Sequence, residues 1–590
     1  MSGTQTAPPE DPNTNTTTKT VDVVVVGSGG AGLTAATVAA LAGLDVLLVE
    51  KTAWFGGTTA LSGGGIWVPG HHLGEIGTDS GTDSTTDITP NNADGDSQQA
   101  LRYVREVVGP TLRDDLLQAF LDAAPKMVDL LVRRTAVRFT VQQGFPDWHP
   151  QAGGFSASGR LLSPETYDGR LLGEHFLQLR PALTEFNAPG GMMIGLGDMP
   201  HIAQVRRSWA SFRHMAGLLL RYGRDRLRYP RGTRLTMGNA LAARLLRSAL
   251  DAGVTLWRNT PMQRLLISEG RVRGVEIDHA GQRLTVHTRR GVVLASGGFS
   301  ANAQWRQRYI PFADQHVSLV PEGNTGDGLS QALDAGARFD GDNHSNAGWV
   351  VVSVHRQPDG RLRKFPHLFL DRGKPGCIAV NQAGQRFGNE AATNLVEPMH
   401  RTGSVPAFLL CDDRFIRTYG LGLVRPGGIG LKRLLAEGYL RSAPTLAALA
   451  QLLSLPPDAL QATVTRFNEH ARTGHDPDFG RGSQAADFNM GDRHHQPNPC
   501  LGPINHGPFY AVQVFPGDST TTVGLRVDRE ARVLDANDQP IIGLHAAGLD
   551  MNSLWRGRAP ANGANNTLGL TFGYIAATAL AGPRPADAQP

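Results

Sequence analysis

Six residues, Gly27-Ser-Gly29-Gly30-Ala-Gly32, follow directly on the apolar run Val21–Val26 and open a helical pattern that reaches from Leu33 to Ala42. In that setting the glycines suit one task, holding a pyrophosphate. Gly27 permits the tight turn out of the strand, Gly29 with Gly30 beside it lets phosphate oxygens approach the backbone, and Gly32 lets helix and strand pack closely. The start of the helix adds unpaired N–H groups and the positive end of a dipole. A second apolar run from Asp45 ends in Glu50, a carboxylate placed to accept hydrogen bonds from the hydroxyls of an adenosine ribose. A lone glycine fingerprint arises often by chance. Strand, glycines, helix, second strand and terminal carboxylate in this order define a dinucleotide-binding βαβ unit.

Shortly after Glu50 comes a second glycine-rich loop, Phe55–Gly65, containing Gly57, Thr58, Ser62, Gly63 and Gly64. A nicotinamide-binding unit has no need of it, whereas a flavin does: the loop brings backbone groups to the ribityl chain and isoalloxazine, and Thr58 and Ser62 add hydroxyls. The expected cofactor is therefore FAD. The loop holds no histidine, so non-covalent binding is expected.

Around these residues the chain must supply a scaffold. With 590 residues, 40% of them hydrophobic, it exceeds what one core usually spans. The formal net charge is only +4, although the sequence pI is about 9.0, which gives no case for nucleic acid. Cys377, Cys411 and Cys500 are too few and too far apart for a disulfide framework, which suits a reducing compartment. The first twenty residues lack the charged and apolar regions of a secretory signal, and no apolar run is long enough to span a bilayer, so a cytoplasmic protein is expected.

The expected fold is α/β: a Rossmann-like FAD-binding domain with a second α+β substrate domain inserted. Its parts are a disordered tail over 1–20, the FAD-binding domain over 21–304 with a surface insertion at about 74–97, the substrate domain over 305–500, and a return to the FAD-binding domain over 501–590. Within the first part, 262–288 reads as a β-meander. Arg290–Gly298 reads as a buried strand running into a glycine turn that contains Gly297. The arginine-rich stretch Gln204–Arg234 reads as a solvated helix face rather than a membrane-surface helix, for want of an aromatic-rich apolar face.

Beyond the two glycine loops, the chain resembles the fumarate reductase/succinate dehydrogenase flavoprotein superfamily and, within it, the 3-ketosteroid Δ1-dehydrogenase branch. The resemblance covers nearly the whole chain and rests on GSGGAG with VEK, GGTTALSGGGIWVP, PDWHP, GNTGDGL, RFGNE ending at Glu390, GPFYAV ending at Val512, GLHAAG ending at Gly548 and TFGYIAA ending at Ala577. It implies that Gly548 and Asp550 lie near the flavin ribityl chain. It also implies that Thr567 and Leu568, at a helix start, face the flavin pyrimidine edge, where a helix dipole stabilises the charge of the reduced ring.

At the substrate end this chain departs from the branch it resembles. The steroid enzymes carry Tyr-Pro-Gly-x-Gly before that helix, and this chain has Ala559-Pro-Ala-Asn-Gly563. Gly563 keeps the backbone donor for a substrate carbonyl, and replacing it by Ala is expected to be milder than replacing it by Pro. The family's PDY is Pro146-Asp147-Trp148, and its base-bearing NE-x-x-x-Tyr is Asn389-Glu-Ala-Ala-Thr-Asn394. Asn cannot act as a base. Candidates that remain are Trp148 and Trp67 as pocket walls, Asn394 as a polar contact, Tyr510 as a proton acceptor if its phenol is acidified, and His71 or His72 as bases.

The expected reaction removes hydrogens α and β to a ketone, with hydride to flavin N5 and reoxidation by a quinone, an artificial acceptor or oxygen. A cyclohexanone-like substrate suits the three lost tyrosines better than a steroid. Two alternatives stand beside it: reduction of an activated alkene in the manner of fumarate reductase, with Arg556 and Arg558 near the right segment, and a flavin-binding protein with altered catalytic residues.

Overall fold

Strands that are apolar on both faces need a sheet covered on both sides. In the computed structural model, which describes residues 17–73, 93–188, 190–205, 208–368 and 370–582, β1 (Thr17–Val26) is such a strand, with Val21 and Val23–Val26 buried. It leads through the glycine turn into α1 (Gly30–Leu41) and on to β2 (Val46–Val49), its parallel neighbour, with Val23 beside Val46. Thr17–Thr20, placed in the tail by composition, extend β1 instead because they find partners in Leu284–His287. Of the expected surface insertion, 74–92 lie outside the described residues; Ala93–Val108 is a helix whose Asp96 accepts from Gly70 N and Arg160.

The sheet grows to eight described strands, ordered Arg532–Leu534, Pro540–Ala546, Arg271–His279, Gln282–Leu294, β1, β2 and Thr255–Trp257, with Met262–Ser268 alongside Arg271–His279. Within it the expected meander is present as three antiparallel strands, turning at Gly270 and Gly281, both with positive φ. The arginine-rich segment forms α2 (Trp209–Arg226), preceded by the short helix Met199–Gln204 packed against it.

A second sheet of seven described strands is organised about Phe509–Thr521, antiparallel to Ala407–Asp412 and to Ala347–Arg356. Side-chain alternation sends Cys377, Ala379, Leu409 and Cys411 to one core, and Ile378, Val380, Phe408 and Leu410 to another beneath helix Pro457–Thr473. The three cysteines are buried and free. Sequence alternation shows that a segment is a strand but not which sheet it joins. Phe509–Thr521, expected in the returning FAD-binding part, is the middle of the second sheet, and the chain regains the first sheet only at Arg532–Leu534. Conversely, helix Asp327–Asp334, expected in the substrate domain, packs on Met262–Ser268 of the first. The chain closes with α3 (Ala564–Ala581), which lies against α1. Among the described residues no helix is long and apolar enough to cross a membrane.

One buried ionic network fastens the second sheet to its loops. Glu390 accepts from Ala379 N at 3.0 Å, from Arg386 at 2.7 Å and from Arg481 at 3.0 Å, and Arg386 also pairs with Asp476 at 2.9 Å. Burial alone would raise the Glu390 pKa, but the two guanidiniums outweigh it and hold the carboxyl below its usual value. A carboxylate whose folded pKa is depressed stabilises the fold above its unfolded value and loses that contribution as pH falls through the folded one. Glu390→Gln, which leaves buried Arg481 without a carboxylate while Arg386 keeps Asp476, is expected to cost about 3–5 kcal/mol in urea unfolding at neutral pH. The gap from wild type should begin to narrow as pH falls below about 4.3, the unfolded value, and close only once pH has passed through the depressed folded value. A gap independent of pH would remove the ionic role.

Candidate active site

The site is built at the carboxyl ends of β1, β2 and the Gln282–Leu294 strand, where glycine lets backbone meet backbone. A Cβ on Gly32 would overlap the Gly27 carbonyl oxygen, and one on Gly27, at φ +105°, would overlap that of Ala295. Gly29 differs: nothing lies within 4 Å of where its Cβ would be, and it lines a cavity of about 1870 Å³ that also receives the first turn of α3. The first N–H of α1, that of Gly30, is taken by Thr59 Oγ1 at 3.0 Å. Glu50 lines the same cavity, its carboxylate oriented by Ser28 Oγ at 2.6 Å on one oxygen and by Thr52 N at 2.8 Å on the other.

The second glycine loop lines the cavity through Gly57, Thr58, Ser62, Gly63 and Gly64. Gly64, at φ +73°, sits 2.5 Å from the backbone at Met237 and Gly238 when a Cβ is added, so the loop is pressed onto the start of a helix. Ser62 Oγ donates to Thr59 O and accepts from Gly64 N, which spends it on shaping the loop. Thr58 Oγ1 accepts from Asn324 Nδ2, and the same amide donates to Gly297 O at 2.7 Å, joining two cavity-lining loops. Gly548, at φ +67°, lines the cavity as well.

Three expected cofactor contacts fall just behind the wall. Asp550 is fully buried and does not line the cavity: it accepts from Ser296 N at 2.5 Å and Gly298 N at 3.0 Å, so it clamps the glycine turn instead. Desolvation pushes its pKa up. Thr567 accepts from Trp67 N at 2.6 Å and Leu568 is core, while Asn566, Gly569 and Leu570 present the face of α3 toward the cavity. A step of one residue along α3 turns a side chain by about 100°, which is why Asn566 and Gly569 reach the cavity while the Thr567 and Leu568 side chains turn into the core.

At the other end, Gly563 caps α3 at φ +84° and lines the cavity, and its N–H has no acceptor among the described residues. A Cβ there would stand 2.6 Å from the Gly65 carbonyl, so Ala at 563 would itself push against the backbone. Trp148 lines the cavity, fixed by its own N–H to Pro560 O at 2.9 Å and by Asp147, which is buried, paired with Arg160 at 2.6 Å and hydrogen-bonded to Trp67 Nε1. Trp67 itself is core, stacked on Phe120. Tyr510 lies away from the cavity, donating to Asp413, and burial with that carboxylate pushes its pKa up, the opposite of an acidified base. His71 is spent on Gly159 O and Leu73 N, and neither it nor His72 lines the cavity.

Asn394 does line the cavity. Its side chain accepts from Glu397 N at 3.1 Å and donates to Glu397 Oε2 at 3.3 Å. Glu397 Oε1 lies 3.6 Å from His344 Nε2, and Arg558 Nη2 donates to His344 Nδ1 at 3.2 Å; all three line the cavity. No local pattern marks this group, since its members come from three segments far apart in the chain, Glu397 from the first turn of a short helix. Tyr419 also lines it, but burial and its bond to Asp492 at 2.7 Å push the phenol pKa up. Arg556, a candidate for clamping a dicarboxylate, is occupied by Asn552 and the Asp342 carbonyl.

A βαβ glycine turn opening onto a long cavity that a second sheet closes defines an FAD-dependent oxidoreductase. The family model described as an FAD binding domain matches residues 22–565, and the chain belongs to that family. It is 35% identical to the 4-oxocyclohex-2-ene-1-carboxylate 5-dehydrogenase of Sinomonas cyclohexanicum, over 93% of this chain and 92% of the other. It is 33% identical to the 3-oxosteroid 1-dehydrogenase of Mycolicibacterium smegmatis, over 94% and 96%. The crystal structure of 3-ketosteroid Δ1-dehydrogenase from Sterolibacterium denitrificans superposes with a TM-score of 0.84 at 34% identity, covering 95% of this chain and 99% of that one. The protein is thus an FAD-dependent dehydrogenase that introduces a C=C bond next to a ketone.

The two kinds of glycine make separable predictions. Gly29→Val adds atoms only to open space, so the protein should fold but bind FAD about tenfold or more weakly, a loss of about 1.4 kcal/mol or more. Gly32→Ala should instead lower thermal stability in the apoprotein. Equal FAD content of Gly29→Val and wild type after gel filtration would show that this space is not the cofactor's.

Proposed function

We propose that the substrate is a cyclohexanone-type ketone carrying a carboxylate, and that Gly563, Glu397 and Arg558 act on it directly. The observation that carries this is the Gly563 N–H, unpaired at the start of α3 and open to the same cavity as the glycine loops. A fixed backbone donor at a helix N-terminus holds the ketone oxygen and takes up the charge that develops as the α-carbon loses its proton. The two glycine loops and Glu50 would hold FAD, Glu50 at its ribose, and the flavin would supply the hydride acceptor for the β-hydrogen. An external acceptor of the quinone, dye or oxygen class would take up the two electrons.

Glu397 takes the α-proton. Asn394 orients its carboxylate, and Arg558, by donating to His344 Nδ1, leaves the proton of that imidazole on Nε2, turned toward Glu397. Asn394 is therefore a positioning residue and Trp148 a wall of the substrate end. Arg558 has no carboxylate partner among the described residues, which leaves it available to an acidic substituent such as the one named for the Sinomonas enzyme.

Anaerobic mixing with 4-oxocyclohexanecarboxylate should bleach the flavin. Its kcat/KM should exceed that of cyclohexanone by roughly 10- to 100-fold, the worth of a hydrogen-bonded charge. Arg558→Met should abolish that preference. A large preference of wild type for a 3-ketosteroid would overturn the substrate assignment. Glu397→Gln should lower kcat by roughly 10²- to 10⁴-fold with FAD content unchanged. Full activity of that variant would place the base elsewhere.

A further inference from the structure

The outer face of α2 has the character of a surface that is not meant to meet water. Trp209, Phe212, Leu219, Leu220 and Leu227 recur at helical spacing and are 74, 49, 55, 71 and 85% exposed. Scattered exposed leucines are ordinary, but a stripe of five large apolar residues along one helix and its C-cap is not. Trp209 and Phe212 stack on each other with centroids 5.3 Å apart, so the aromatic component that the arginine-rich sequence seemed to lack is present at the start of the helix.

Successive residues on a helix turn by about 100°, which sets Arg213 and Arg224 along one margin of this stripe and Arg226 along the other, with Arg228 in the turn that follows. None of the four has a carboxylate partner among the described residues, whereas Arg221, on the inner side, pairs with Asp168 at 3.1 Å. The opposite face ties α2 to the body: Ser211 and Asp225 are buried, and Asp225 accepts from Thr233 N and Oγ1 at 2.8 Å. Met215 on that inner side, with Met199 and Ile202 of the preceding helix, lines the cavity. The same helical pair is therefore wall of the cavity within and apolar, cation-edged surface without.

We propose that α2 and the preceding helix dock the protein on an anionic lipid surface, the apolar stripe entering the headgroup boundary while the flanking arginines meet lipid phosphates. Charge complementarity selects this occupant: a second copy of the chain would bring like-charged margins together, while an anionic bilayer offers an apolar interior edged by negative charge. Docked so, the cavity wall formed by Met199, Ile202 and Met215 lies next to the phase into which apolar ketones and quinones partition. The inference does not depend on the substrate or the base assigned above.

The test is flotation of the FAD-loaded protein with vesicles of phosphatidylcholine alone and of phosphatidylcholine with phosphatidylglycerol. Wild type should float with the anionic vesicles and much less with the neutral ones, with binding weakened by raised salt. Trp209→Ser with Phe212→Ser, and separately Arg213→Glu with Arg224→Glu, should each cut bound protein at least tenfold while FAD content and turnover of a water-soluble ketone stay at wild-type level. No binding to anionic vesicles, or binding that both double variants retain, overturns the proposal. So does wild-type self-association in sedimentation equilibrium that the Trp209→Ser, Phe212→Ser variant abolishes, since the stripe would then be an interface between copies.

Discussion

Backbone lying on backbone is the constraint from which the rest of the site follows. Gly32 rests on the Gly27 carbonyl, Gly27 on that of Ala295, and Gly573 of α3 on that of Ala31, so strand ends, α1 and α3 converge where no side chain fits. That convergence brings the N-termini of two helices to one cavity, α1 through the glycine turn and α3 through Gly563. Helix N-termini present N–H groups and positive partial charge. Two of them facing one space suit an anionic pyrophosphate at one place and a developing enolate at another.

Buried carboxylates hold these pieces in register. Asp550 clamps the turn at Ser296 and Gly298, Asp147 sets the segment that carries Trp148, and Glu390 ties the second sheet to its loops through two arginines. Each is buried, so each would be costly unless satisfied, and each is: by backbone N–H groups, by a guanidinium, or by both. Asp550, the one of these that the sequence offers to the cofactor, is thus spent on the protein itself. Glu397 is the contrasting case, a carboxylate on the cavity wall held by an amide and an imidazole rather than by a paired arginine.

The loss of tyrosine at positions 148, 394 and 559 leaves the cavity in place and changes what its wall offers. A bulky indole, an amide and a methyl group line it there. Fold and chemistry are separable in this way because the cofactor end depends on backbone geometry, which tolerates little, and the substrate end on side chains, which can be exchanged.

The sequence by itself determined the βαβ unit, the FAD-type pair of glycine loops, the closing helix and the family resemblance. Each is written in local periodicity and in glycines whose need is set by their immediate neighbours. Only the tertiary structure decided that Phe509–Thr521 belongs to the second sheet, that Asp550 and Thr567 stand behind the cavity wall, and that Tyr510 and His71 are outside it. It alone brought His344, Glu397 and Arg558 together and turned the apolar side of α2 outward. These are properties of contacts between residues tens to hundreds of positions apart, and of which face of an element is covered. No local pattern encodes them, because the partner that covers or completes each one is supplied by a distant part of the chain.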